Sequence, residues 1–275
     1  DHLHARTAEA LERGLDQPRE QDEVITERQA EARIVLLKKG YDNAQLNLFW
    51  MSLSTDYFLQ NSVDAIVWHT ELLWPPGKSI SEMHVELRED PVHRCTELFV
   101  YGPDRDDLFA HSAALLNQLG LNILSARIQT TVQGLSINTY LVLEEDGSRI
   151  RGEERLTGIR YFLEDGLNST EPPLGVPRMP RQLKSFQMPS QIGFEQDETR
   201  MVTLLMLLTS DRPGLLSMVG QVFAAGKLRL HFARIATAGA EAQDTFAITD
   251  RDDQPISDPE RLAAIAEALR SKLDD

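Results

Sequence analysis

The spacing of apolar residues changes in the same order twice along this chain. "TELFVYG" from Thr96 is a short run of β-favouring residues, and "MVTLLMLLTS" from Met201 is its longer counterpart. A turn follows in each case, Asp104-Arg105-Asp106-Asp107 or Asp211-Arg212-Pro213-Gly214. Leu108, Phe109, Leu115, Leu116 and Leu119 then recur at helical spacing, matched by Leu215, Leu216, Val222, Phe223 and, less hydrophobically, Gly226. That pattern predicts an amphipathic helix of about three turns in each copy, with Gly120 and Gly226 at the stops. In the second copy Leu228, Leu230 and Phe232 alternate with Arg229 and His231, the period of a half-buried strand, and a hairpin through Gly239 leads into "DTFAITD". "DPERLAAIAEALRSKL" adds a helix with Asp258 as N-cap and Pro259 at the first helical position. Strand, helix, strand, strand, helix lacks one strand of a ferredoxin-like βαββαβ sandwich, an α+β fold. The second copy runs out of residues after its helix, so "KSFQMPSQIGFEQ" is expected to supply a strand in or between the two sheets.

The copies share a register. Asp104-Arg105 pairs with Asp211-Arg212 at 211 − 104 = 107, and Ala126-Arg127-Ile128 pairs with Ala233-Arg234-Ile235 at the same offset. Asn138-Thr139-Tyr140 answers Asp244-Thr245-Phe246 at 244 − 138 = 106, so one residue has been lost from a connection, where length changes are tolerated. Self-similarity at this long period indicates two copies of one domain. Upstream, residues 1–90 read as helical: Glu23 to Lys39 places Val24, Ala32, Val35 and Leu36 on one face and stops at Gly40, and a second periodic stretch runs from Asp56 through Trp68 to Leu73. Pro75 and Pro76 end it, and "STEPPLGVPRMPRQ" is a Pro-rich connection. The expected division is a helical segment over 1–90, a first domain with its linker over 96–182, and a linking strand with the second domain over 183–275.

With 275 residues and 41% hydrophobic content, the chain can build two or three units with real cores. Its net charge of −15, from 28 basic and 43 acidic residues, argues against a nucleic-acid or anionic-membrane partner. RNA binding on a ferredoxin-like sheet needs exposed aromatics on a basic face, and "LRLHFARIATA" offers only Phe232. The single Cys95 excludes an intramolecular disulfide and suits a reducing cytoplasm. No apolar run approaches the roughly 20 residues of a membrane span, and the start "DHLHARTAEALERG" has no signal-peptide pattern. A helix-like pattern already under way at Leu3, without an initiator Met, is expected of a piece of a longer protein.

"DRPGLLSMVGQVFAAGKLRLHFARIATAGAEAQDTF" resembles the ACT domain, an amino-acid-sensing regulatory module. Together with "DYFLQNSVDAIVWHTELL", "TELFVYGPDRDDLFA" and "ATAGAEAQDTFAITD", the paired arrangement resembles more narrowly the C-terminal end of the bacterial PII uridylyltransferase/uridylyl-removing enzyme family. The resemblance implies a nucleotidyltransferase domain that uridylylates PII, an HD domain that removes the group, and Mg for those catalytic domains, all outside this sequence. It also implies glutamine as allosteric effector in nitrogen regulation, with PII met through the full-length enzyme and a homodimer as a further expectation. No catalytic site and no cofactor are expected here: "GSRIRGEE" has a Gly-Ser dipeptide, but Glu153-Glu154 read as an exposed helix start, and there is no His-Asp dipeptide. His2 and His4 alternate without carboxylate partners and read as solvated, not as metal ligands.

A free amino acid presents a carboxylate and an ammonium side by side. A turn opening a helix offers N–H groups and a positive dipole end to the first, and a nearby carboxylate takes the second. The candidate ligand-binding residues are therefore Asp211, Arg212, Pro213, Gly214, Leu215 and Leu216, with Asp104, Arg105, Asp107 and Leu108 in the first copy. Leu215, Leu216, Leu108 and Phe109 serve chiefly as core by their helical stripe, and the plain alternative for Asp104 and Asp211 is that they cap the helices. Asp106-Asp107 replace Pro-Gly in the first copy, adding negative charge where a carboxylate would dock, so the second is expected to keep the better ligand loop. The competing reading is a structural dimerisation module without ligand.

Overall fold

The computed structural model describes residues 18–75, 79–105, 107–169, 189–238 and 240–274. The chain divides into residues 1–79 with 131–133, and residues 80–130 with 134–275.

The first unit holds helices α1 (Pro18–Lys38), α2 (Asn43–Trp50), α3 (Thr55–Gln60) and α4 (Val63–Leu73). Asp42, Ser54 and Ser62 cap the last three, each side chain accepting the N–H three residues on. Ala32, Leu36, Leu46 and Ile66 are fully buried at its centre, and Trp50 Nε1 donates to Thr70 Oγ1 at 3.2 Å. The periodic stretch from Asp56 to Leu73 is two helices, not one. Arg28 Nη1 gathers the carbonyls of Phe58, Leu59 and Asn61 where α3 ends, and Ser62 opens α4. Val35 does not share the buried face: it precedes Leu36 by one residue, about 100° of helical rotation, and is exposed.

The second unit runs β1 (His84–Asp90), β2 (Cys95–Pro103), α5 (Leu108–Gln118), β3 (Leu121–Arg127), β4 (Leu135–Glu144) and α6 (Glu153–Asn168). It then repeats as β5 (Gln191–Asp197), β6 (Val202–Ser210), α7 (Leu215–Ala225), β7 (Arg229–Arg234), the two-residue β8 (Thr237–Ala238), β9 (Glu241–Thr249) and α8 (Pro259–Leu273). The fold is α+β, two ferredoxin-like halves in which antiparallel strands carry helices. The strand order differs from the expected βαββαβ: each half is ββαββα, so the edge strand comes first and fills the place of a closing one. The strand expected from "KSFQMPSQIGFEQ" is β5, paired antiparallel to β6 from Gln191↔Leu208 to Asp197↔Val202, while residues 184–188 of that stretch lie outside the described residues. Its counterpart β1 falls inside the segment expected to be helical. There Val85 is buried and Leu87 packs on the core while His84, Glu86 and Arg88 alternate with them, a period of two that the charges obscure.

All strands but the two-residue β8, which pairs with β9, form one path, β1-β2-β4-β3-β7-β9-β6-β5. At its middle Ala126 faces Ala233, with Ser125↔Arg234 and Arg127↔Phe232 on either side. Ala126 and Ala233 are the same position at the offset of 107, so a local two-fold axis passes through this seam. The flanking bonds obey it: Ile128 N donates to His231 O at 2.9 Å and Ile235 N to Leu124 O at 3.0 Å. Helices α5 and α7 pack over the seam so closely that a Cβ on Gly220 would come within 2.7 Å of Ala110 Cα. As expected, Asp258 caps α8 and Pro259 opens it. Among the described residues no helix is long and apolar enough to cross a membrane.

Candidate functional site

The two β–α turns are built alike. Asp104 N donates to Gly134 O at 3.1 Å and Asp211 N to Ala240 O at 2.9 Å, tying each turn to the hairpin of its own half. Leu108 N and Leu215 N then donate to the carbonyls of Arg105 and Arg212, both at 3.2 Å. The doubled arginine has a structural task. Arg105 Nη1 donates to Leu167 O at 3.1 Å and Arg212 Nη2 donates to Leu273 O, so each guanidinium meets the carbonyl end of its half's last helix, where a cation suits the dipole. Arg105 also donates to His111 Nδ1 and pairs with exposed Asp107 at 3.1 Å. Met218 stands where His111 does, 107 positions on.

Neither Asp104 nor Asp211 caps a helix. The N-cap of α5 is Asp107, whose side chain makes no capping bond, and that of α7 is Gly214 in the left-handed region at φ 77°. The turn continues for a full loop past each aspartate before helical geometry starts, which puts the carboxylate out of capping reach. Asp104 Oδ2 instead accepts the Thr130 hydroxyl at 2.9 Å. Pro213 is exposed in the turn ahead of the helix, Leu108 and Leu215 are buried in the core, and Leu216 packs against it. Asp106 and Gly239 lie outside the described residues.

Two residues that the spacing did not single out meet this corner. Asn117, near the end of α5 in the first half, accepts the Gly214 N–H of the second half on its Oδ1 at 2.9 Å. The contact has no reciprocal: the residue 107 positions after Asn117 is Ala224, which has no side-chain oxygen. The other is Asp244 on β9, 1% exposed, whose Oδ1 accepts the Ala236 N–H at 3.4 Å and whose Oδ2 has no hydrogen-bond partner among the described residues. Burial, with the Asp211 charge adding to it, pushes the Asp244 carboxyl up to about 7 against the pull of the Ala236 N–H. Its counterpart Asn138 accepts the equivalent N–H, that of Gln129, at 3.3 Å and the Ser136 hydroxyl at 3.0 Å. The alignment of Asn138 with Asp244 was visible in the sequence, and a carboxyl in a strand opposite an amide is the signal that marks it. Among the described residues no group of three or more His, Cys, Asp or Glu could hold a metal ion.

The geometry therefore offers, at one side of the seam, a helix start without a side-chain cap of its own whose glycine N–H holds a carboxamide oxygen of the other half, with Asp211 three residues before it and Asp244 near enough to Asp211 to feel its charge. Comparison with known proteins adds to this. Residues 20–72, which include α2 and α3 and nearly all of α1 and α4, match the family model described as the uridylyltransferase GlnD fifth domain. The chain is 37% identical over 276 residues to a bifunctional uridylyltransferase/uridylyl-removing enzyme of Pseudomonas putida strain F1, covering 98% of the chain and 31% of the relative. It is 36% identical over 278 residues to the enzymes so named from Ectopseudomonas mendocina and Azotobacter vinelandii, covering 99% of the chain and 31% of each. The chain thus spans about a third of the length of these relatives.

Proposed function

We propose, on the premise that the chain is homologous along its length to the C-terminal part of the bifunctional uridylyltransferase/uridylyl-removing enzymes, that its two ferredoxin-like halves are ACT-type domains that sense glutamine. In a longer protein they would report the amino acid to uridylylating and uridylyl-removing domains that act on PII in the cytoplasm with Mg. The contact from Asn117 to Gly214 carries the reading. A carboxamide from one half occupies the helix-opening N–H of the other, so a ligand oxygen that takes that N–H must alter a bond between the halves. A ligand shifts an equilibrium only through its differential affinity for two states, and a bond across a seam is a place where such a difference arises. The ligand's carboxylate would meet the start of α7 and its ammonium Asp211 or Asp244. A sensor of an abundant metabolite needs roughly millimolar affinity, about −4 kcal/mol, which two or three hydrogen bonds supply.

The second reading is pairing without ligand. It is favoured by the seam itself, where β3 and β7 already join two like units, with β1 and β5 left as edges that another chain could extend. Calorimetry of glutamine binding, with glutamate and asparagine alongside and Gly214→Asp as control, separates the two. Saturable heat at roughly millimolar concentration, lost in the variant, is the expected result. No heat, together with a melting temperature that rises only with protein concentration, would establish pairing alone.

A further inference from the structure

In its last turns helix α1 is apolar on two sides. One side, through Ala32 and Leu36, closes the helical core. The other carries Ile34 and Leu37, 54% and 44% exposed, and on the second helix Leu48 and the C-cap Met51 are 67% and 80% exposed. A helix with apolar residues round two faces is one covered on two sides, and soluble domains otherwise scatter exposed apolar residues singly. Between α1 and α2 lies a groove of about 410 Å³ whose walls include Ile25, Trp50, Met51 and Phe58. Arg33 lines it as well. Its guanidinium lies 4.9 Å from the centre of the Trp50 ring and donates to the side-chain oxygens of Asn43 and Asn47. No carboxylate pairs with Arg33 among the described residues, so a cation on an aromatic ring borders an apolar groove in a chain of net charge −15.

What covers this face is indicated by the relatives. They are about three times as long as the chain, the matched part is their C-terminal part, and these helices match a domain described as the fifth. We propose that the groove and the Ile34–Leu37 side of α1 dock a helix from the part of the longer protein that precedes the matched segment. The occupant lays apolar residues along the groove and sets a carboxylate against Arg33, which the ring and the two amides hold ready. This rests on the homology alone and not on glutamine binding, so the two can fail separately.

Met51 is the probe. Hydrogen peroxide oxidises exposed methionine, and mass spectrometry reads the rate at Met51 in this 275-residue chain and in the full-length protein, with the exposed Met201 of the other unit as internal reference. The expected result is fast oxidation of both in the 275-residue chain, and at least about ten-fold slower oxidation of Met51 alone in the full-length protein. Ile34→Glu, at an exposed position of that side of α1, should restore fast oxidation there while leaving the melting temperature of the 275-residue chain unchanged. Equal rates in both proteins would overturn the proposal. So would protection already present in the 275-residue chain: independent of concentration it would mean the chain covers its own groove, and rising with concentration it would mean a second copy does.

Discussion

The first half buries Ser112 on α5 with Asn138 and Tyr140 on β4; the second half places Val219 on α7 with Asp244 and Phe246 on β9 at the equivalent positions. The Tyr140 hydroxyl faces Ser112 and Asn138, and burial holds it above its ordinary range. Around these positions the frame is unchanged. The paired arginines meet the ends of the last helices, and Asn138 and Asp244 accept equivalent hairpin N–H groups. The comparison separates two kinds of constraint. Backbone groups that must be satisfied fix which atoms are present, since a buried unpaired N–H costs about as much as a lost hydrogen bond. An amide and a carboxyl both provide the needed oxygen, so the rest of the side chain could diverge, and one half acquired a titratable group where the other has none.

The largest effect should come from exchanging those two residues. Asp244 has a folded pKa of about 7, above the ordinary carboxyl value because burial disfavours its charge. A raised acid pKa means that its contribution to stability is complete below the unfolded value near pH 4 and is lost as pH rises to the folded value. The loss approaches, at most, about 4 kcal/mol between pH 4 and pH 7. Asp244→Asn keeps the oxygen for Ala236 and removes the charge. It should therefore match the parent near pH 4 and exceed its stability increasingly toward pH 8, as read by urea unfolding at a series of pH values. Asn138→Asp should do the reverse, adding a pH-dependent loss to the first half. Parallel pH profiles for the parent chain and Asp244→Asn would show that Asp244 stays ionised in the folded protein.

The seam offers the next test. Gly220 on α7 abuts Ala110, whereas the position 107 residues earlier on α5 is already an alanine, Ala113, buried at 3% exposure. The two-fold axis is thus imperfect at the helices. A side chain at Gly220 meets backbone, which does not yield as a flexible side chain would, so Gly220→Val should cost about 3 kcal/mol despite the better helix former. Because the Asn117 to Gly214 bond crosses the same seam, the variant should also weaken any glutamine heat. Retained stability in thermal unfolding would mean that the halves separate without loss, and that the seam is not a packed interface.

Much of this frame was legible along the chain. The offset of 107 exposes two like units because helix stripe, turn and strand recur in one register, and β5 was foreseeable because the second copy otherwise lacks a strand and "KSFQMPSQIGFEQ" is the stretch left to supply it. The edge strand β1 was not legible: with only Val85 and Leu87 inward among charged neighbours, seven residues carry too weak a period to stand out from the helical segment before them. Asp258 caps its helix as its pattern with Pro259 predicts, whereas the alternative of caps at Asp104 and Asp211 fails because a β–α turn can run on past its aspartate. Asn117 could not be found by spacing, since its contact depends on a seam between halves 97 residues apart in sequence. The order ββαββα was hidden for a simpler reason, that a sheet position can be filled from either end of a unit.

The smallest effect concerns the turn after the first helix of each half. Gly120 takes φ 68° there and Lys227, 107 positions on, takes φ 56°. Glycine visits the left-handed region at no steric cost, whereas a lysine Cβ is crowded against the following carbonyl by roughly 1 kcal/mol. The backbone is nevertheless the same in both halves, because Gly120 N donates to Asn117 O at 3.0 Å and Lys227 N to Ala224 O at 3.2 Å, closing equivalent turns. Lys227→Gly should relieve the crowding while making the unfolded chain more flexible, leaving a net gain of about 0.5 kcal/mol, and Gly120→Lys should lose about 1 kcal/mol. Thermal unfolding of the two variants side by side reads the difference. A gain for the first with a loss for the second would mean that the second half keeps its turn by the pull of the surrounding sheet and helix. Equal and negligible shifts would mean that the lysine relaxes out of the left-handed region and that the halves part company at this turn as well.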